Sequence, residues 1–282
     1  MYPDHIHAPK DSQSKLAHSR AIDVVDLSRY FNAHAAVDAI NFHVTPGKVL
    51  GLLGPNGAGK STTIKMLTTL LPPTSGSATV AGYNIITEPS LVRQKIGYVP
   101  QLISADGDLT AYENLMLSAK LYGIPQKIRH ERINEVLDFM GLASYSHQLV
   151  SQYSGGMIRR VEISQALLHE PSVLFLDEPT VGLDPGARKL LWEHIEKWRR
   201  HYGTTILITT HDMEEADKLC DIIAFMYLGK IIRIGTPEQL KAEIGEQATL
   251  GDVFVKHTGT SINAGGTYAD AKETRRTISH LD

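Results

Sequence analysis

Three short, nearly unbroken apolar runs punctuate the chain at 48–53 (KVLGLL), 172–176 (SVLFL) and 204–209 (TTILIT). Runs of that length, separated by helical stretches, predict buried strands of a parallel sheet with both faces covered. After the first run comes a glycine-rich turn and then a helix over 61–71, stopped by Pro72 and Pro73. The segments 222–227 and 231–234, joined at Leu228-Gly229-Lys230, predict an antiparallel hairpin. Between about 108 and 169 the pattern turns helical. Thr110 with Glu113 forms a capping box, and that helix ends near Gly123 before Pro125. A second helix covers 126–140 and closes at Gly141, and a third covers about 157–169. Thr236-Pro237-Glu238-Gln239 starts another, with a cap, a first-turn proline and a glutamine three after the cap. The simplest reading is an α/β core with a helical insertion.

Both ends are polar, and mobile tails are expected over 1–20 and 259–282. His5 and His7 lack partner ligands nearby in sequence and read as solvated. The 282 residues carry a net charge of −3, which gives no footprint for nucleic acid or a membrane surface. The single cysteine, Cys220, excludes an internal disulfide and reads as a small buried apolar residue. No run approaches the roughly 18–20 apolar residues that span a bilayer, and the start has no apolar core of a secretory signal. Work at a membrane would therefore need another chain for the membrane part. No internal repeat or heptad run is visible.

The first chemical motif is Gly54-Pro55-Asn56-Gly57-Ala58-Gly59-Lys60-Ser61, followed by Thr62. It matches G-x-x-x-x-G-K-[ST] between a strand and a helix, the context a phosphate loop requires. Glycines let successive N–H groups turn toward phosphate oxygens, and the helix start adds its positive dipole end. Lys60 would place its charge on the β- and γ-phosphates, and Ser61 would offer its hydroxyl to Mg²⁺. The second motif ends the 172–176 run in Asp177-Glu178, placing two carboxylates at the sheet's carboxyl edge. Alone it could equally be a capped turn. With the phosphate loop upstream, Asp177 reads as a Mg²⁺ ligand and Glu178 as the group that orients or deprotonates water. Together they describe a P-loop nucleotidase that takes a nucleoside triphosphate with Mg²⁺, and the next motif decides that the nucleotide is ATP.

Ser154-Gly155-Gly156-Met157, preceded by Tyr153, stands just before a helix. In this order and spacing it resembles the signature of the ABC ATPases, and the resemblance extends over roughly 21–258. It implies a P-loop NTPase (RecA-like) core sheet with an antiparallel β subdomain and a helical subdomain inserted at about 102–165. It also implies further site residues. Gln101 would reach Mg²⁺ and the hydrolytic water, Asp184 in Gly182-Leu183-Asp184-Pro185 matches the D-loop, and His211 matches the switch histidine at the γ-phosphate. Phe31 falls where the family stacks an aromatic on adenine, with Tyr30 its close competitor. Tyr153 and Met157 replace the family's usual Leu and Gln, and Ile158 replaces a frequent basic residue, although Arg159 and Arg160 follow.

The same resemblance implies a head-to-tail homodimer, in which Ser154, Gly155 and Gly156 of one copy cap the ATP on Lys60 of the other. A separate transmembrane permease would dock on the helical segment, and the chain would sit peripherally on the cytoplasmic face of the inner or plasma membrane. Thr249-Leu250-Gly251-Asp252-Val253-Phe254 resembles the closing segment of drug, polysaccharide and sodium exporters. An importer ATPase, a soluble ABC ATPase and an unrelated P-loop protein are the competing expectations. No nucleic-acid partner is expected.

Overall fold

The computed structural model describes residues 20–245 and 247–260. Apart from Arg20, Gly259 and Thr260, the two expected tails lie outside the described residues. Strands β1 (Ile22–Phe31), β2 (His34–Val44), β4 (Ser75–Val80) and β5 (Tyr83–Asn84) form an antiparallel sheet in the order β2-β1-β4-β5. Strands β3 (Val49–Leu53), β6 (Ile96–Val99), β7 (Val173–Asp177), β8 (Thr205–Thr210), β9 (Ile222–Tyr227) and β10 (Lys230–Gly235) form the second sheet. Its order is β10-β9-β3-β8-β7-β6, parallel except for the β9–β10 hairpin.

The apolar runs behave as their composition requires. Every residue of β3, β7 and β8 is buried. Leu174, Leu176, Ile206 and Ile208 face one core, shared with the helices of the insertion, while Val173, Phe175 and Leu207 face the other, shared with the antiparallel sheet. Burial on both faces is what replaces polar alternation with continuous apolar sequence. Cys220 is buried as a small packing residue, and burial raises its thiol pKa.

Helix α1 (Lys60–Leu67) follows β3, and α2 (Pro89–Lys95) precedes β6. The insertion between β6 and β7 carries α3 (Ala111–Leu121), α4 (Gln126–Phe139) and α5 (Gly155–Leu167). Helices α6 (Pro185–Tyr202) and α7 (Met213–Leu219) flank β8, and α8 (Pro237–Ala242) and α9 (Leu250–Thr258) close the described chain. The capping boxes at Thr110 and Thr236 are both formed. Among the described residues no helix is long and apolar enough to cross a membrane.

Two of the differences from the expected helix boundaries have a local cause. Helix α1 stops at Leu67 rather than 71, because Thr69 takes a φ of +62° and the Leu70 N–H turns back to the Lys65 carbonyl. This is a Schellman stop built on threonine, so the prolines at 72 and 73 do not end the helix. Helix α5 starts at Gly155 rather than near Met157, since Ser154 is already its cap and accepts the Met157 N–H. The two glycines are thus helical residues of the first turn, where a serine cap outweighs poor glycine propensity.

Candidate functional site

The parallel sheet brings the motifs to one edge. In register, Leu53 pairs with Thr210, Asp177 with Thr209, and Val99 with Leu176. The segments leaving β3, β7, β8 and β6 therefore emerge side by side, at strand spacings of about 4.8 Å. They carry the phosphate loop, Asp177-Glu178, His211 and Gln101.

The loop backbone needs its glycines. Gly59 caps α1 at φ +106°, and a Cβ there would lie 2.4 Å from the Ala36 carbonyl oxygen. At Gly54 a Cβ would lie 2.1 Å from the Met226 carbonyl oxygen. A side chain at either would displace backbone. Lys60, 4% exposed, donates to the Gly54 carbonyl at 2.6 Å and the Pro55 carbonyl at 3.1 Å, and pairs with Glu178 Oε1 at 3.3 Å. Burial lowers the Lys60 pKa, with Glu178 and Asp177 opposing that shift.

Glu178 sits between two basic groups, since its Oε2 lies 3.3 Å from His211 Nδ1. Its φ of +47° is unusual for a side chain of this size. The backbone is held there by its N–H, which donates to both Thr209 Oγ1 at 2.9 Å and the Thr209 carbonyl at 3.1 Å. Thr209 also donates to Asp177 Oδ1 at 2.5 Å, and Ser61 Oγ donates to that oxygen at 3.0 Å. Nearby, the Tyr98 hydroxyl is pushed up to about 12 by burial and then by the Asp177 charge.

Ser61 and the buried Asp177 offer adjoining oxygen donors, the chemistry a hard divalent cation takes. The donor set fits Mg²⁺ at these two residues.

A second group forms apart from the first. Ser154 is exposed at the tip of α5, and Gly156 packs so tightly on α6 that a Cβ would lie 2.8 Å from Ala187 Cβ. Asp184 caps α6 by accepting the Ala187 N–H at 3.0 Å. The tips of α5 and α6 therefore meet, with Ser154, Gly155 and Asp184 exposed and Gly156 buried at the contact. Among the described residues, no hydrogen bond or ion pair joins Ser154, Asp184 or the exposed Gln101 side chain to the phosphate loop.

Phe31 ends β1, 43% exposed, with the Arg29 guanidinium 4.7 Å from its ring centre. The Tyr30 hydroxyl is tied to Asp38 Oδ1 at 2.9 Å, a bond that raises its pKa.

Sequence reasoning did not single out Thr209, whose hydroxyl organises both carboxylate residues. The signal was a polar residue ending an otherwise apolar strand. It also missed Arg188, which pairs with Asp212, and Trp192, whose indole N–H donates to Glu215 Oε1 at 2.6 Å. These contacts tie α6 to the start of α7 just after His211 and carry no short motif.

The family model described as ABC transporter matches residues 37–181. The chain is 44% identical to the daunorubicin/doxorubicin resistance ATP-binding protein DrrA of Streptomyces peucetius, over 80% of this chain and 68% of that one. It is 42% identical to the linearmycin resistance ATP-binding protein LnrL of Bacillus subtilis (strain 168), over 84% and 75%. It is 41% identical to the Nod factor export ATP-binding protein I of Sinorhizobium fredii, over 83% and 69%. A solved ATP-binding subunit of an ABC transporter superposes with a TM-score of 0.75 at 31% identity, over 84% of this chain and 99% of that one.

Proposed function

The chain belongs to the ABC transporter family as an ATP-binding, ATP-hydrolysing subunit, and on that premise we propose that it powers an exporter whose permease is a separate chain. The supporting observation is the three relatives above, which are named for drug resistance or export and match along most of their own length. The peripheral cytoplasmic-face position is part of the same proposal.

At the site, an entering triphosphate competes with Glu178 and the loop carbonyls for the Lys60 ammonium. Transfer of Lys60 to the phosphates frees the Glu178 carboxylate to accept a proton from water. The water oxygen bonds to the γ-phosphorus as the bond from that phosphorus to the β–γ bridging oxygen breaks, giving ADP and phosphate. His211, beside Glu178, faces the γ-phosphate, and Phe31 stacks on adenine. Mg²⁺ held by Ser61 and Asp177, with Gln101 approaching, would neutralise charge on the β- and γ-oxygens. Ser154, Gly155, Gly156 and Asp184 complete the site of a second copy; among the described residues no hydrogen bond or ion pair joins Ser154 or Asp184 to the chain's own loop.

The permease would bind exposed apolar residues of the insertion. Leu102 is 81% exposed and Leu121 79%. Leu121, Tyr122 and Ile128 line a cleft of about 730 Å³ that reaches Arg93 of α2. The test is co-expression with a candidate permease. The chain should sediment with membranes and show permease-stimulated ATPase, and Leu121→Glu should release it while leaving basal ATPase intact. Absence of any permease-dependent membrane association would contradict the proposal.

A further inference from the structure

Two charged residues that the site does not use are buried in α5. Arg159 is 6% exposed and Glu162 3%, and they pair at 2.9 Å. Burying a guanidinium and a carboxylate is costly unless both are satisfied by more than each other. Their remaining partners all lie on the segment that leaves β6. Arg159 donates to the Pro100 carbonyl at 2.8 Å and to the Gln101 carbonyl at 2.8 Å. Glu162 Oε1 accepts the Ser104 hydroxyl at 3.0 Å and also the Ser104 backbone N–H. The segment is thus gripped at 100–101 and again at 104, and Leu102 and Ile103 are pushed into solvent between the grips, 81% and 64% exposed.

The grip joins two places the site requires. One is the carboxyl edge of β6, in register with the residue before Asp177. The other is α5, whose cap is Ser154, five residues before Arg159. A helix of this length is rigid over one and a half turns. We propose that the Arg159–Glu162 pair is a positioning device that makes segment 100–104 and the Ser154 end of α5 move as one body. It sets the rate of hydrolysis without touching nucleotide. Contact of a second copy's ATP with Ser154 then shifts the Gln101 segment at the chain's own site, and pressure on Leu102 and Ile103 shifts Ser154. The inference rests on the ATP-hydrolysing, two-copy reading above.

The planar fork of Arg159 matters, because it meets two successive carbonyls and a carboxylate together, which a lysine ammonium cannot reproduce. Arg159→Ala would strand Glu162 as a buried unpaired charge, so the informative variant is the double substitution Arg159→Met, Glu162→Gln. It removes both charges and keeps the volume. Arg159→Lys is the conservative companion.

The experiment measures melting temperature, affinity for a fluorescent ATP analogue and steady-state ATPase on the full-length chain. The double variant should melt near the wild type and bind nucleotide within about twofold, yet lose about 10- to 100-fold in kcat, the range expected for groups misplaced by an ångström. Arg159→Lys should fall in between. A double variant with wild-type kcat overturns the inference and leaves the functional reading standing. So does a fall in kcat matched by equal losses of affinity and melting temperature, which marks a merely structural pair. A wild-type chain without ATPase activity overturns the functional reading and this inference with it.

Discussion

Glu178 concentrates the residue-scale chemistry. Its carboxylate lies 3.3 Å from both Lys60 and His211, on a backbone held at φ +47° by the strand beside it. Strained positions of this kind cost about 1–3 kcal/mol and persist where neighbours over-determine them. Here Thr209 does so through two acceptors on one N–H. Glu178→Gln preserves size and hydrogen bonding but cannot accept a proton. ATP binding should survive, and kcat should fall about 10²- to 10⁴-fold, the usual worth of a general base. Hydrolysis near the wild-type rate in that variant would show that the proton goes elsewhere. The identities of Lys60, Ser61, Asp177 and Glu178 were legible because each stands in a short contiguous pattern. Thr209 was not, because its role depends on register between β7 and β8, and register is a long-range property.

Among elements, the end of α5 shows how helix boundaries and titration meet. His169 lies just past the helix, stacked 3.9 Å from Tyr122, and its Nε2 bonds the Ile96 carbonyl at 2.9 Å. That bond makes Nε2 the protonated nitrogen and leaves the buried Nδ1 without a hydrogen-bond partner. Burial lowers the His169 pKa, only partly offset by the carbonyl, and Lys95 adds to the fall. The unfolded chain therefore takes up the proton first, near pH 6.5. Stability from this group is present above that pH and is lost as pH falls toward the folded pKa. His194 shifts in the same direction, again chiefly through burial. Melting temperature should drop between about pH 7 and pH 5, and His169→Phe, which keeps the stack on Tyr122, should flatten that slope. An unchanged slope in the variant would place the titration elsewhere. Element types were readable from periodicity and capping residues, but two boundary differences came from local bonds, Thr69 in the left-handed region and Ser154 as a cap.

For the whole molecule, the two sheets and the insertion place the chemistry in two groups. Lys60, Ser61, Asp177, Glu178 and His211 gather at the carboxyl edge of the parallel sheet. Ser154 and Asp184 sit at the tips of α5 and α6, where among the described residues no hydrogen bond or ion pair joins them to that group. Sequence spacing revealed both groups, and the resemblance implied that they meet across two copies; the packing of α5 on α6 at Gly156 and Ala187 was not legible, because it depends on long-range contact. On the proposed function, two copies share each ATP site. Lys60→Ala disables the loop half and Ser154→Arg the capping half, so neither variant alone should hydrolyse ATP. Mixing them creates pairs in which one site is intact on both sides. ATPase assayed on the mixture should recover to about a quarter of wild type for random pairing of independent sites. A mixture no more active than either parent would contradict the shared site.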